Sequence, residues 1–382
     1  MPMRIADVGV IPENKSLESL ADLVGTPFYR YHLPTIRAQI ARLRTTFAYP
    51  VNLLFATMAN DHPAVLRAIA EEGVGACVNS LHHLRLALDS GFAANDIQFT
   101  STGAPLEDMV ELQRLGIAAN LDSPLQVRQW CSVKPGRHLG VRINAASLRP
   151  TARIRDRIGV NADGLAHAQE EARANAGKVN GLHLYAGTNI QRVEDIVPVL
   201  TAFFLLARQV STLEYVNIGG GIGVDYAHSG CMFDYERFGT EVSILANELA
   251  SVLGRAVRVY CEPGRSMVAE AGVFVTRVTD LKQLEEDTFV AVDGSVAVFP
   301  RPFHHPDNLH YVRALGPERR GKFRPVVIVG RTTFSRDILG RCELQELEMG
   351  DLLVFEDAGA YCQSMSSQFL GQKTPACVVA DN

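Results

Sequence analysis

The 382-residue sequence has a single tryptophan, few aromatics (7%) and little net charge: −5, from 37 Lys and Arg against 42 Asp and Glu. Its basic residues form no stripe able to neutralise a run of phosphates, which argues against nucleic acid or an anionic membrane as partner. No apolar run is long enough to cross a bilayer. Met1 to Gly9 carries Arg4 and Asp7 and no apolar stretch, so no secretory leader is read there. The seven cysteines (Cys77, Cys131, Cys231, Cys261, Cys342, Cys362 and Cys377) form no CxxC pair. Their odd number and wide scatter argue against a disulfide framework or a structural zinc site, and predict a reducing, cytoplasmic compartment.

What is present is an alternation. Short β-rich runs read at Val51–Ala56, Ala76–Val78, Ile97–Phe99, Ala119–Leu121, Gly140–Ile143, Gly181–Leu184, Tyr215–Ile218 and Val257–Tyr260. Helical patterns separate the first of them: His62 to Glu72 with Val65, Leu66 and Ile69 on one face, Leu81 to Ser90, and Pro105 to Leu115 before Gly116. This number of βα units predicts an α/β fold, a parallel (β/α)8 TIM-like barrel. After about Gly272 strands follow one another without regular helices, at Val273–Val278, Thr288–Val292, Arg324–Val329 and Asp351–Phe355. That reads as a C-terminal β domain, which also takes the N-terminal segment through Phe28–Tyr31. The expected organisation is 1–33 joining the β domain, 34–271 as the barrel, and 272–382 as the β domain.

Barrel enzymes carry chemistry at the C-terminal strand ends. Asn217-Ile218-Gly219-Gly220-Gly221-Ile222-Gly223 follows a strand. Its backbone N–H groups could approach an anion, or the run could be a flexible turn. Glu262-Pro263-Gly264-Arg265 could serve one ligand, the arginine on an anion and the acid on a cationic ring nitrogen. In isolation such a pair is by default a surface ion pair. In His183-Leu184-Tyr185 alternation points both rings the same way, and Tyr185 could stack on a planar group; a core role is the commoner fate of such residues. Asp357-Ala358-Gly359-Ala360-Tyr361 offers a phenol or is only a small-residue turn. His304, His305 and His310 invite a metal reading, but adjacent side chains on an extended segment point apart, so no metal site is expected.

In this order, with Asp293-Gly294, Arg301-Pro302, Gly330 through Asp337 and Gly350-Asp351, these segments resemble the fold type III, alanine-racemase-like pyridoxal-phosphate decarboxylases. The resemblance is closest to the diaminopimelate and ornithine types and spans Thr26 to Val379. It implies a barrel plus β domain, a homodimer with shared sites, and a small amino-acid-like substrate. It assigns Gly219, Gly220, Gly221, Thr188, Arg265 and Tyr361 to the cofactor phosphate, beside Gly264. Glu262 becomes the partner of the pyridine nitrogen, and Arg142 a support for the ring.

The departures bear on chemistry. The family's Schiff-base lysine lies in a segment of the type Tyr-Ala-x-Lys-Ala-Asn; here Phe55-Ala56-Thr57-Met58-Ala59-Asn60 places Met58 there. A thioether neither bonds covalently to an aldehyde nor moves a proton. Cys77 stands for an acid, Tyr185 for the ring-stacking histidine, and Thr333-Phe334 for a Cys-acid pair, while Asp337 is kept. Phe334 cannot hold a charged distal end, so diaminopimelate is disfavoured. Arg301 could hold a substrate carboxylate, with His305 where the family has tyrosine. The resemblance therefore implies pyridoxal phosphate held without a covalent link. The chain then acts as an amino-acid lyase with altered chemistry, or as a non-catalytic homologue that binds a phosphorylated ligand or a partner. An engineered lysine mutant would explain Met58, but not Cys77, Tyr185 and Phe334 together.

Overall fold

The computed structural model describes residues 7–11 (backbone only), 15–149, 156–316 and 321–381; Met1 to Ala6 of the segment read for a leader lie outside them. In chain order the strands are β1 (Asp7–Ile11), β2 (Phe28–His32), β3 (Val51–Ala56), β4 (Gly75–Val78), β5 (Ile97–Thr100), β6 (Ala118–Leu121), β7 (His138–Ile143), β8 (Lys178–Leu184) and β9 (Tyr215–Asn217). They continue with β10 (Arg258–Cys261), β11 (Gly272–Leu284), β12 (Asp287–Val292), β13 (Val312–Ala314), β14 (Arg324–Val329), β15 (Ile338–Leu344), β16 (Leu352–Phe355) and β17 (Ala376–Ala380). Two compact units result.

The first unit, Gln39–Gly223 with Met232–Gly264, is the expected barrel. Strands β3 to β10 pair in parallel and in order, and β10 closes on β3 with Val259 opposite Val51. The intervening helices carry the stop and start signals their sequences advertise. Helix Pro63–Glu71 has proline in its first turn and His62 as N-cap, and turns Val65, Leu66, Ala68 and Ile69 inward. Helix Leu106–Leu115 ends at Gly116 in the left-handed conformation. The barrel interior departs from an aliphatic fill. Gln98, Asn120, Tyr215 and Asn217 are all buried within it. Tyr215 explains two glycines: a Cβ at Gly181 would lie 1.9 Å from its ring, and one at Gly140 2.3 Å from its hydroxyl.

The second unit holds the described residues up to Ala38, Val224–Cys231 and those from Arg265 onward. Its main sheet runs β1-β17-β2-β11-β12-β14-β15, with β16 also paired to β11 and β13. The two ends of the chain meet here, since β17 pairs in parallel with both β1 and β2. Phe28, Leu20, Val275, Val354 and Val378 form one core cluster of this unit. Tyr29, Phe274, Phe299 and Phe355 stack in another, with Phe274 and Phe299 rings 4.6 Å apart and nearly parallel. The stretches 224–231 and 265–271 group with this unit, not with the barrel.

Candidate active site

Because all eight barrel strands are parallel, their C-terminal ends share one face. Glu262 follows β10 there and is 8% exposed. Its Oε1 accepts from Asn217 Nδ2 at 2.7 Å, and its Oε2 lies 3.1 Å from His183 Nε2. The Cys77 thiol lies near the same carboxylate. Burial alone would push the acid up; His183, Cys77 and Asn217 outweigh it and hold Glu262 below the usual glutamate range. Conversely, burial and the Glu262 charge push the Cys77 thiol well up, so it stays a protonated donor. Behind Asn217 the bonding continues: Asn217 Nδ2 donates to Gln98 Oε1 at 2.9 Å, and Asn120 Nδ2 donates to the same oxygen at 3.1 Å.

The glycine run leaves β9 beside this carboxylate. A Cβ at Gly220 would lie 2.1 Å from the Glu262 carbonyl oxygen, and one at Gly221 (φ +96°) 2.4 Å from that of Gly187. Close packing of the loops after β8, β9 and β10 therefore demands glycine, and leaves bare backbone on this face. Tyr185 follows β8, half-buried, with the Arg142 guanidinium 5.5 Å from its ring centroid. Arg142 in turn lies 3.9 Å from Asp122. Met58 occupies a short 3-10 turn, Thr57–Ala59, directly after β3. Thr57 anchors this turn by donating to the Cys77 carbonyl at 3.1 Å. Gly264 packs its Cα side against Ala56 and Ala59, where a Cβ would sit 3.0 Å from each methyl. Thr188 is exposed in the loop after β8.

The β unit gathers a second group around Tyr226, a residue that sequence reasoning did not single out. Arg265 Nη1 donates to the Tyr226 hydroxyl at 2.7 Å, and its guanidinium lies 4.7 Å from the Tyr361 ring. Arg301, 1% exposed, stacks 3.3 Å from the Tyr226 centroid and donates to the Asn308 carbonyl at 2.8 Å. Burial lowers the Arg301 pKa from its ordinary value. His305, close by in sequence, is also lowered, by burial and then by the Arg301 and Arg265 charges. Tyr361 adopts a left-handed φ of +55°, a conformation costly for a bulky residue and typical of constrained sites. Phe334 packs against Phe303 and Phe369, with ring centroids 5.7 and 5.8 Å away, while neighbouring Thr333 is exposed. Asp337 holds that loop, accepting from Val296 N at 2.7 Å and from the Thr332 hydroxyl. No group of three metal-ligating side chains occurs among the described residues.

Residues 33–269 match the pyridoxal-binding domain of the pyridoxal-dependent decarboxylases. The chain belongs to that family. It is 30% identical over 362 residues to a probable chloroplastic diaminopimelate decarboxylase of Oryza sativa subsp. japonica, covering 90% of this chain and 73% of that protein. It is also 30% identical over 368 residues to diaminopimelate decarboxylase of Streptomyces coelicolor, covering 90% and 82%. The crystal structure of the Helicobacter pylori diaminopimelate decarboxylase complexed with L-lysine superposes with a TM-score of 0.86 over 96% of this chain and 94% of that one. At 24% identity the last is a likeness of fold.

The barrel residues fit the group for which the family's domain is named. An ionised, buried Glu262 suits a cationic ring nitrogen. A half-buried aromatic backed by a guanidinium suits a planar ring. Two buried polar atoms in the same neighbourhood, His183 Nδ1 and Arg142 Nε, have no hydrogen-bond partner among the described residues. The structure brings Cys77 and Glu262 together directly, with Arg142 near enough to lower the Cys77 pKa. Separately, it joins Arg265 and Arg301 through Tyr226 and sets Tyr361 against Arg265. Tyr226 is the neighbour that motif reading did not name, and His183 and Asn217 were quoted in their motifs without their bonds to Glu262. His183 was visible two residues before Tyr185, and Asn217 two before Gly219, but neither carries a local sign of its bond to Glu262.

Proposed function

We propose that this chain binds pyridoxal phosphate without a covalent link and acts on a small amino-acid-like substrate by chemistry that does not use a lysine. The observation that carries this is the ionised Glu262, held by His183, Asn217 and Cys77 beside the glycine run. Glu262 would hold a proton on the ring nitrogen, and Tyr185, backed by Arg142, would cover one ring face. Gly219, Gly220, Gly221, Gly264, Thr188, Arg265 and Tyr361 would receive the phosphate. When bound, the group supplies an electron sink for bonds at a substrate's α-carbon. Met58 stands where the family has its lysine and can neither tether an aldehyde nor shuttle a proton, so loading and release of ligand depend on diffusion alone. Cys77 and Thr333 occupy positions of family acid and thiol groups, and Arg301, His305 and Phe334 those that meet substrate. A homodimer in a reducing cytoplasm is the setting that the family resemblance and seven unpaired cysteines support.

The test is retention. Purified chain is mixed with pyridoxal phosphate, desalted, and scanned for absorbance; a retained free-aldehyde spectrum is expected, and its loss in Glu262→Gln. Absence of any retained chromophore overturns the reading. Carbon dioxide release across a panel of amino acids then separates an enzyme from the second reading that Met58 itself favours, a non-catalytic binder of the same ligand.

A further inference from the structure

Arg265, which the pyridoxal reading places on a phosphate, is held by two tyrosines from distant parts of the chain. Its Nη1 donates to the Tyr226 hydroxyl at 2.7 Å, and its guanidinium lies 4.7 Å from the Tyr361 ring centroid. Tyr226 belongs to the stretch 224–231, which follows the glycine run in sequence, and Tyr361 closes the turn Asp357–Tyr361. A guanidinium meets a phosphate through N–H groups of fixed direction, so the placing of these two rings decides what it can hold.

A side-chain bond ties the two stretches together. His228, two residues after Tyr226, sets its Nε2 2.8 Å from Oδ2 of Asp357, four residues before Tyr361. Asp357 titrates at about 6, so at neutral pH its carboxylate can only accept and His228 Nε2 donates. The His228 ring also lies flat on Tyr311, with centroids 4.6 Å apart. Tyr311 runs between the same two stretches: its N–H donates to the Tyr226 carbonyl at 2.6 Å, and its carbonyl accepts from Glu356 N at 3.0 Å. Past Asp357 the turn is pinned from another side, where Ala358 N donates to the Gly272 carbonyl at 2.7 Å and Gly359 N to that of Ala269 at 3.0 Å.

This junction is expensive to build. His228, Asp357 and Tyr361 adopt left-handed φ values of +52°, +56° and +55°. Non-glycine residues keep such backbone where the surroundings over-determine it, most often at binding sites. Asp357 carries a further cost, since burial and the charges of Glu270 and Glu356 oppose its ionisation. His228 is half exposed, so packing of the core does not account for it.

We infer that His228 and Asp357 are positioning residues for phosphate binding. Their bond cross-links the stretches that carry Tyr226 and Tyr361, and so fixes the Arg265 guanidinium between the two rings. They act through Arg265, not on the ligand itself. The identity of the anion rests on the pyridoxal reading; the cross-link rests on contacts within the β unit alone.

Three variants test it. His228→Ala removes the donor, His228→Gln keeps an N–H donor at the same backbone position, and Asp357→Asn keeps an acceptor oxygen; circular dichroism confirms that each is folded. In the full chain without added cofactor, amide hydrogen exchange of peptides covering 224–231 and 357–363 should quicken about tenfold in His228→Ala, stay near native in the other two, and leave the barrel peptides unchanged. In binding titrations, His228→Ala should weaken pyridoxal phosphate about tenfold and leave unphosphorylated pyridoxal unchanged, with His228→Gln largely restoring the first. A general structural loss would weaken both compounds alike. Three results overturn the inference: native exchange in His228→Ala, a His228→Gln as impaired as His228→Ala, or equal weakening of the two compounds. The exchange comparison uses no ligand, so it judges the cross-link even in a chain that retains no chromophore, the separate result that overturns the pyridoxal reading.

Discussion

Glu262 in the barrel and Asp357 in the β unit are both buried carboxylates with a histidine nitrogen within bonding distance, His183 at 3.1 Å and His228 at 2.8 Å. Their acidities move in opposite directions. Glu262 is held below its ordinary value, because Asn217 and Cys77 add donors to that of His183. Asp357 is pushed up to about 6: burial dominates, Glu270 and Glu356 add negative charge, and His228 alone does not compensate. His228 is itself half exposed and stacks flat on Tyr311 at 4.6 Å. The shorter histidine contact thus accompanies the weaker carboxylate. What separates the two is how many donors converge on the charge and which other charges stand near, as expected when desolvation is the cost to be offset.

The comparison breaks most visibly at Glu262. In Glu262→Leu, His183 and Asn217 are left buried against an apolar group, and urea unfolding should show a loss of about 3 kcal/mol. A loss below about 1 kcal/mol would mean the cluster contributes little to the fold. Asp357→Asn should act the other way. An acid titrating at about 6 when folded and near 3.9 unfolded binds its proton more tightly in the native state. The native chain therefore gains stability as pH falls between those values, and at pH 7 it carries the full penalty of ionisation. The variant should be more stable by about 2 kcal/mol at pH 7, and the difference should fade by about pH 4. Glu262 runs opposite: its contribution is complete above the ordinary glutamate range and is lost as pH drops through its lower folded value. The smallest effect sharpens the contrast. Cys77→Asp puts a second carboxylate against Glu262, and should cost about 1 kcal/mol at neutral pH, recovered on acidification, because like charges raise each other's pKa.

Much of the barrel was legible beforehand, because each βα unit announces itself locally. Apolar strand runs alternate with helices whose starts and stops carry His62, Pro63 and Gly116. The Asn217–Gly223 and Glu262–Arg265 segments were legible for the same reason: each follows a strand within a few residues. The rest depends on long-range pairing that leaves little local trace. Strand β17 takes its partners from the opposite end of the chain, and β15 breaks its apolar run with Arg341 and Glu343 at a sheet edge. The partners of Glu262 lie 45 and 79 residues away. Tyr226 sits in a stretch that leaves the barrel unit and packs with Arg265 and Arg301, so no period in its own neighbourhood marks it.

If Met58 occupies the tethering position of a pocket for pyridoxal phosphate, restoring a lysine there should restore the covalent link. Native chain and Met58→Lys, each loaded with pyridoxal phosphate and reduced with borohydride, are compared by intact mass and peptide mapping. The native chain should stay unmodified, and the variant should carry one pyridoxyl group on residue 58. A native chain that becomes tethered, or a variant modified only elsewhere, would contradict it.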